Sequence, residues 1–371
     1  MESKAVIARF AIQHFIALAN FFQIYHDKTV PTQRDIAQRT GLTQATVSMA
    51  LRNHPSVNGA TKELVRKIAA EIGYRPNPFV ASLMAHIRTG RHLQDRGCLA
   101  VIVNARSLEE WTEMETYRFQ YEGMRQRAAA FGYYTEPFYL HDGVAHAQID
   151  RILHSRGITG VILAAPQPAI NPILLQWDRY CCATIGYTYA GPHIHRTCSH
   201  HLYNIGLAYQ KLHESGYRRI GLFLPPEAMQ NPTYGWYLGY LHRQAKVPPQ
   251  HRVPLFIDKH DGRSPGKLLR WYKKYSPDAV LCLIGVQKPW FEKLGLQPPQ
   301  DFGFACLNRP ESSTYSGIAE NHRLIGAAAV DLVVDQIHAN DRGLPAYPKD
   351  VLIEGTWYDG ETLRAAPLGN R

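Results

Sequence analysis

The sequence lacks the short motifs that mark most enzymes and structural metal sites. It contains no Gly-rich phosphate-binding loop, no G-x-S-x-G and no H-E-x-x-H, and none of its six cysteines forms a C-x-x-C pair. Acidic pairs such as Asp258 and Asp261 lie in polar, loop-like sequence. We therefore expect neither an enzyme nor a bound cofactor nor a resident metal ion.

Long apolar runs are also scarce, and the exception is residues 5–25. No small-x-small cleavage site comes after this run, which argues against a signal peptide. Polar side chains interrupt it, namely Arg9, Gln13, His14, Asn20 and Gln23. We predict that residues 1–29 form an N-terminal extension whose helix packs on protein. The alternative is that translation starts at Val30 and the extension does not belong to the native chain.

No other stretch is long and apolar enough to cross a bilayer. The cysteines are also too sparse for a small disulfide-stapled secreted domain, and we expect them to be reduced and mostly buried. Both observations favour a cytoplasmic protein.

Acidic residues are outnumbered, and the imbalance is local. The chain has 41 Lys and Arg against 31 Asp and Glu, a net charge of +10. Residues 30–92 hold nine of these bases and only three acids, a net charge of +6. A concentrated positive region attracts a polyanion by releasing condensed counterions, which points to nucleic acid as a partner.

The pattern of apolar residues separates the chain into further regions. Residues 30–75 carry short capped helices, and residues 76–97 are a Pro-started helical segment with a polar linker. Residues 98–371 alternate strands with helices, which predicts parallel sheets and, at this length, two α/β lobes around a cleft. The predicted strands are 99–104, 158–164, 183–187, 220–224, 279–283 and 302–307, and the predicted helices are 117–131, 202–215 and 325–338.

Residues 32–53 predict a helix-turn-helix. Thr32 is placed to cap a first helix together with Asp35, Gly41 supplies the turn, and Thr43 caps a second helix that begins at Gln44. A third helix, 60–72, should bury its regularly spaced apolar residues, which are Leu64, Val65, Ile68, Ala69 and Ile72.

The second helix of such a motif enters the major groove with its N-terminal side chains on base edges. Gln44 is suited to adenine, and Ala45 and the methyl group of Thr46 are suited to thymine methyls. The hydroxyl and guanidinium groups around them suit phosphates, which assigns this role to Thr32, Thr43, Ser48 and Arg52.

Two segments closely resemble the LacI/GalR family of bacterial transcription regulators: D-I-A-x-x-x-G-L-T-x-x-T-V-S-x-A-L at 35–51 and Y-R-P-N-P at 74–78. The resemblance extends from Val30 to the end. It implies a periplasmic-binding-protein-like core and a homodimer on a near-palindromic operator. It also implies a hinge helix that includes Asn77 and inserts Leu83 into the minor groove. Met49 departs from the Arg that is frequent in the family, so we expect a different operator.

The resemblance further implies a small effector, such as a sugar, in the cleft. Asn308 stands where the family has a ligand-binding Asp, and Trp236 stands where it often has a stacking aromatic, although a core role for Trp236 is equally expected. His200 and His201 replace a family Asp and Asn, in a segment (193–201) that we interpret as a loop rather than a zinc site.

These features together predict a repressor controlled by an effector. The alternative is a repressor that needs no ligand and has a vestigial core, which is favoured by the missing family residues: Gly206 replaces a frequent ligand-binding Arg, and Ile284 and Gly285 replace an Asn-Asp pair. A transporter's soluble binding protein would share the core fold, but it would not carry residues 32–83.

Overall fold

The structure is a computed structural model. It describes residues 31–51, 56–74, 97–141, 146–164, 173, 175–189, 191–229, 235–258 and 265–364. The chain divides into two compact units, Met1–Gln94 and Asp95–Arg371. The predicted N-terminal helix, the hinge helix and three predicted DNA contacts (Arg52, Asn77 and Leu83) lie outside the described residues.

Three helices of the first unit match the predicted motif: α1 (Gln33–Thr40), α2 (Gln44–Leu51) and α3 (Gly59–Glu71). Thr32 and Asp35 form a complete capping box at α1, which confirms the predicted cap. Gly41 ends α1 with a φ of 69°, a left-handed conformation that glycine adopts without steric cost. Asn58, which has no counterpart among the predicted caps, caps α3 by accepting a hydrogen bond from the Thr61 amide at 2.8 Å.

These helices share one small apolar core, whose buried members are Ile36, Val47, Ala50, Val57, Val65 and Ala69. The prediction for Leu64 was wrong, because 45% of this residue is exposed. Val65 and Ala69 define the buried stripe of α3, and Leu64 lies one residue outside that stripe.

The second unit contains two parallel-sheet lobes, which confirms the predicted fold class. The strands of the first lobe are β1 (Gly97–Asn104), β2 (Tyr133–Leu140), β3 (Gly160–Ala164), β4 (Cys181–Ile185), β5 (His195–Ser199) and β11 (Asp350–Ile353). Within the described residues they pair in parallel in the order β11-β5-β4-β3-β1-β2. The helices of this lobe are α4 (Leu108–Thr112), α5 (Glu115–Ala130), α6 (His146–Ser155) and α11 (His322–Ala339).

The second lobe is built in the same way, with one antiparallel strand at its edge. Its strands are β6 (Ile220–Leu224), β7 (Phe256–Ile257), β8 (Ala279–Cys282), β9 (Gly303–Cys306), β10 (Ser316–Ala319) and β12 (Thr356–Tyr358). Their order is β12-β10-β9-β8-β6-β7, and β12 is antiparallel to β10. The helices of this lobe are α7 (His201–Glu214), α8 (Gly235–Lys246), α9 (Pro265–Tyr275) and α10 (Lys288–Lys293).

The strands that sequence analysis found are mostly those buried on both faces. Strands β3, β4, β6, β8 and β9 are buried at every residue, so each reads as a continuous apolar run. The prediction missed β2 and the short strands β7, β10, β11 and β12, which lie at sheet edges or carry polar residues. The boundaries of β4 were also wrong, since the strand starts two residues earlier than predicted and ends at Ile185.

The segment 193–201 is not a loop, which corrects the prediction. Residues His195–Ser199 form β5, paired with β4 on one side and with β11 on the other. Thr197 and Cys198 are buried there, so this polar sequence folds as an interior strand because its neighbours cover it. Five of the six cysteines are buried and Cys98 is half-buried, as predicted.

Helices α5 and α11 cross on one face of the first sheet at very short range. A Cβ atom on Gly123 would overlap the backbone of Arg323, and one on Gly326 would overlap the backbone of Gln120. Each glycine therefore provides the space for the partner helix. No described helix is both long and apolar enough to span a membrane.

Candidate nucleic-acid interface and ligand cleft

The N-terminal turn of α2 presents a short polar surface on a fixed frame. The Thr43 hydroxyl accepts a hydrogen bond from the Thr46 amide at 3.2 Å and lies 2.9 Å from the Thr46 hydroxyl. Val47 and Ala50 anchor the opposite face in the core, so Gln44 and Ala45 are exposed. This arrangement leaves the first turn of α2 exposed, which is the geometry that a groove-reading helix requires.

The flanking residues add a polar, mostly basic surface. Thr32 is exposed at the start of α1, where its amide donates to the Asp35 carboxylate at 2.7 Å. Hydrogen bonds from Thr32 hold the pKa of Asp35 below its usual range. Ser48 is half-buried on α2. The exposed bases of α1 and α3 are Arg34, Arg39, Arg66 and Lys67.

In the second unit, Asn308 lies just after β9 and contacts the first lobe through His322. Its Oδ1 lies 2.9 Å from His322 Nε2, which also lies 3.3 Å from the Thr116 hydroxyl on α5. His322 is only 8% exposed, and burial lowers its pKa to about 4. Its other ring nitrogen, Nδ1, is buried and has no hydrogen-bond partner in the described part of the chain.

Two other candidates, His201 and Trp236, stack on each other, and Tyr187 lies beside them. The ring of His201 stacks on Trp236, with centroids 4.3 Å apart and an angle of 20° between the planes, and lies 5.8 Å from the ring of Tyr187. Trp236 is 4% exposed and belongs to the core of the second lobe. Burial lowers the pKa of His201 to about 4, so this ring is neutral at pH 7.

His200 has a local role in the fold. It precedes α7, and its Nδ1 accepts a hydrogen bond from the Tyr203 amide at 3.2 Å, which makes it the N-cap of that helix. The structure thus brings His201 and Trp236 together. His200, the residue before His201, caps α7 instead, and Asn308 contacts His322 separately from this pair.

Comparison with known proteins finds similarity to transcription regulators, both for the helical unit and for most of the chain. The family described as "Bacterial regulatory proteins, lacI family" matches residues 32–77, which contain the three described helices of the first unit. The chain is 26% identical over 338 residues to the HTH-type transcriptional repressor CytR of Escherichia coli (strain K12), a match that covers 85% of this chain and 92% of the repressor.

Residues 32–77 therefore carry the lacI-family domain, and the chain is similar to a transcriptional repressor over most of its length. It is a DNA-binding transcription regulator. Two solved structures share its fold. A transcriptional regulator CelR–cellobiose complex has a TM-score of 0.54 at 18% identity, covering 90% of this chain and 99% of that one. A lac repressor dimer bound to operator and the anti-inducer ONPF has a TM-score of 0.52 at 15% identity, covering 91% and 100%.

The protein also links its two lobes through residues that sequence analysis did not find. Glu115, in the first turn of α5, accepts hydrogen bonds from the Glu311 amide and, at 3.0 Å, from the Ser312 hydroxyl, both in the loop after β9. Arg323 on α11 contacts Glu122 at 3.0 Å and Glu311 at 2.8 Å. Nearly 200 residues separate Glu115 from Ser312, so no local sequence pattern could predict their contact.

A metal site finds no support in segment 193–201. Within the residues that the structure describes, no three His, Cys, Asp or Glu side chains converge as metal ligands. His195 accepts a hydrogen bond from the Lys349 amide at 2.9 Å, His200 caps α7, and His201 stacks on Trp236.

Proposed function

We propose that this protein is a homodimeric repressor that binds a near-palindromic operator in the cytoplasm, and that an uncharged small molecule such as a sugar controls its DNA affinity. It acts by binding rather than by catalysis. Residues 30–75 read the DNA, residues 76–97 form the hinge helix and linker, and residues 98–371 bind the effector and dimerise.

The observation that carries this proposal is the exposed first turn of α2 on a rigid three-helix frame. Gln44 and Ala45 point away from a core that holds Val47 and Ala50 in place. A glutamine amide can bind adenine through two hydrogen bonds, and the methyl groups of Ala45 and Thr46 complement thymine. Thr43 and Ser48 lie beside them, where phosphates pass.

The structural relatives support the assembly and the ligand class. One is a dimer bound to operator and an anti-inducer, and another holds cellobiose. A cleft between two lobes is where such ligands bind in this fold class. Asn308 offers hydrogen-bonding groups to a hydroxyl, and His322 beside it carries a buried ring nitrogen that no described group bonds.

The proposal is tested by selecting DNA sequences from a random pool with the full-length protein, with and without candidate sugars. We expect a near-palindromic motif whose recovery changes with the effector. In Gln44→Ala the preference should relax at one position of each half-site, by about 1–3 kcal/mol. Gln38→Ala is the matched control, because Gln38 is exposed on α1. A motif unchanged at every position in Gln44→Ala would refute the assignment.

Leu83 provides a second test of operator recognition. Leu83→Ala removes the proposed minor-groove wedge but leaves the phosphate contacts, so operator affinity should fall far more than affinity for random DNA. Equal losses on both DNAs would contradict the wedge.

One observation favours the second candidate function, a repressor that needs no ligand. Asn308 is already engaged by His322, and the face of Trp236 is already covered by His201. Thermal unfolding with a panel of sugars and nucleobases separates the two candidates. A ligand that binds the folded state raises the unfolding temperature, whereas a vestigial cleft leaves it unchanged across the panel.

A further inference from the structure

The chain crosses between the two lobes of the second unit at three places: between β5 and α7, between β10 and α11, and between β11 and β12. One chain of buried hydrogen bonds connects all three. The Ser199 hydroxyl donates a hydrogen bond to the Glu320 carboxyl group at 2.8 Å. It accepts one from the side-chain nitrogen (Nδ2) of Asn204 at 2.9 Å. The Asn204 side-chain oxygen accepts from the Gly355 amide at 2.7 Å.

Because any change in the angle between the lobes must bend these crossings, this network lies at the hinge. Each crossing contributes at least one of its members: Ser199 and Asn204 flank the first, Glu320 lies in the second, and Gly355 lies in the third. A further bond reinforces it, from the Asn321 side chain to the carbonyl oxygen of Glu354 at 2.7 Å.

Glu320 is the one carboxyl group among these members, and it is 7% exposed. Burial raises its pKa to about 7, and the hydrogen bond from Ser199 opposes that rise. Within the described residues, the hydrogen-bond donor to this carboxyl group is the Ser199 hydroxyl, so ionisation places a weakly solvated charge in a buried position. A buried carboxylate without a cation is unfavourable, and it is relieved by protonation or by access to water.

The basic groups on the adjoining elements have other contacts. On α11, Arg323 pairs with Glu122 and Glu311, and His322 contacts Asn308. On β5, Arg196 lies over Tyr187 and near Asp350, and burial together with the charge of Glu320 helps to raise the pKa of Cys198. The remaining titratable groups on these crossings are His200, His201 and Glu354.

We propose that Glu320 is a proton-operated latch of the hinge: the protonated carboxyl group holds the three crossings together, and its ionisation favours an opened hinge in which water reaches the carboxylate. The proposal stands whether or not the cleft takes an effector, because it concerns the crossings themselves. The acid needs no partner beyond solvent, since the proton released on ionisation passes to water.

Hydrogen exchange measured by mass spectrometry on the full-length protein, without DNA or ligand, tests the latch at residues 199–206 and 353–357. Wild type and Glu320→Gln are compared at equal pH, so that intrinsic exchange rates cancel. The glutamine keeps the shape of the protonated acid but cannot ionise. We expect the wild-type rate relative to Glu320→Gln to rise about tenfold or more between pH 5.5 and pH 8.

Glu354→Gln is the matched control, because Glu354 is an exposed glutamate on the third crossing, and its ratio to wild type should stay constant with pH. A constant ratio for Glu320→Gln would overturn the proposal. If Glu320→Gln does not fold, Ser199→Ala provides the test of the latch. It removes the bond that favours the ionised form, so the rise in exchange must move to higher pH, and an unmoved midpoint overturns the latch.

Discussion

The helical unit and the candidate effector residues reach their present arrangement in different ways. In the helical unit every described side-chain cap lies within three residues of its partner, and Gln44 and Ala45 are exposed and unobstructed. Among the candidate effector residues, Asn308 contacts His322 and His201 stacks on Trp236, and both contacts are between buried or half-buried groups. The described side chains of the first surface are exposed, whereas a ligand that bound at the second set of residues would have to displace contacts that the protein already makes.

The largest expected effect comes from Trp236, which lies in the core of the second lobe rather than on a free binding surface. Trp236→Ala should reduce the free energy of unfolding of the second unit by about 3–5 kcal/mol, because it empties a large buried site. Urea unfolding monitored by circular dichroism measures this loss.

Trp177→Ala is the control for that experiment, since Trp177 is only half-buried at the edge of its core cluster and should cost less. If Trp236→Ala kept wild-type stability and lost only ligand binding, Trp236 would be a binding surface, and the contrast between the two regions would fail.

Ile36 tests the contribution of the small core of the helical unit. It is fully buried between the three helices, and Ile36→Ala should destabilise the helical unit by about 3 kcal/mol, a large share of what so small a core provides. Hydrogen exchange should show lost protection in residues 31–74 and unchanged protection in residues 97–364. Leu64→Ala, at a residue 45% exposed, should leave both intact. Equal losses in both units would contradict the assignment of Ile36 to a separate core of the helical unit.

The histidine that stacks on Trp236 predicts a dependence on pH. Burial lowers the pKa of His201 from 6.5 to about 4, so its contribution to stability is complete above pH 6.5 and is lost as the pH falls toward 4. His201→Phe keeps an aromatic ring on Trp236 but cannot take a proton. Wild type should therefore lose about 2 kcal/mol relative to this variant across that interval in urea unfolding.

The same substitution at exposed His193 is the control and should leave the wild-type slope unchanged. Parallel pH profiles for wild type and His201→Phe would show that the ring is not held neutral by burial.

The smallest effect is expected at the cap of α1. Thr32→Ala removes a side-chain acceptor for the Asp35 amide and should lower the stability of the helical unit by about 1 kcal/mol. Thr32→Ser keeps the hydroxyl and should restore most of the loss. A loss with serine as large as with alanine would point away from capping.

Sequence-based prediction of the fold succeeded where contacts between near neighbours in the chain set the structure, and it failed where contacts between distant residues did. Thr32, Gly41 and Thr43 set helix limits by contacts with their own neighbours, and so α1 and α2 were placed correctly. Strand β5 was missed, because His195–Ser199 becomes a strand only when β4 and β11 flank it. Leu64 was misjudged, because spacing gives the apolar face of a helix but not its width.

The site divides in the same way. The resemblance pointed to Asn308 and Trp236, but no pattern in the sequence indicated the His322 contact, the His201 stack or the bridge from Glu115 to Ser312. These pairs join residues 14 to 197 positions apart, and they meet only once both sheets and all three crossings are in place. The hinge network around Glu320 has the same origin.

The most direct test of base reading by α2 is the affinity of wild type and Gln44→Ala for a selected operator and for a scrambled duplex at the same salt concentration. We predict that wild type prefers the operator by about a thousandfold or more, as specific DNA-binding proteins do. We also predict that Gln44→Ala loses about 1–3 kcal/mol of that preference, while its affinity for the scrambled duplex is unchanged. Equal wild-type affinity for both duplexes, or an equal loss on both in Gln44→Ala, would contradict base reading by α2.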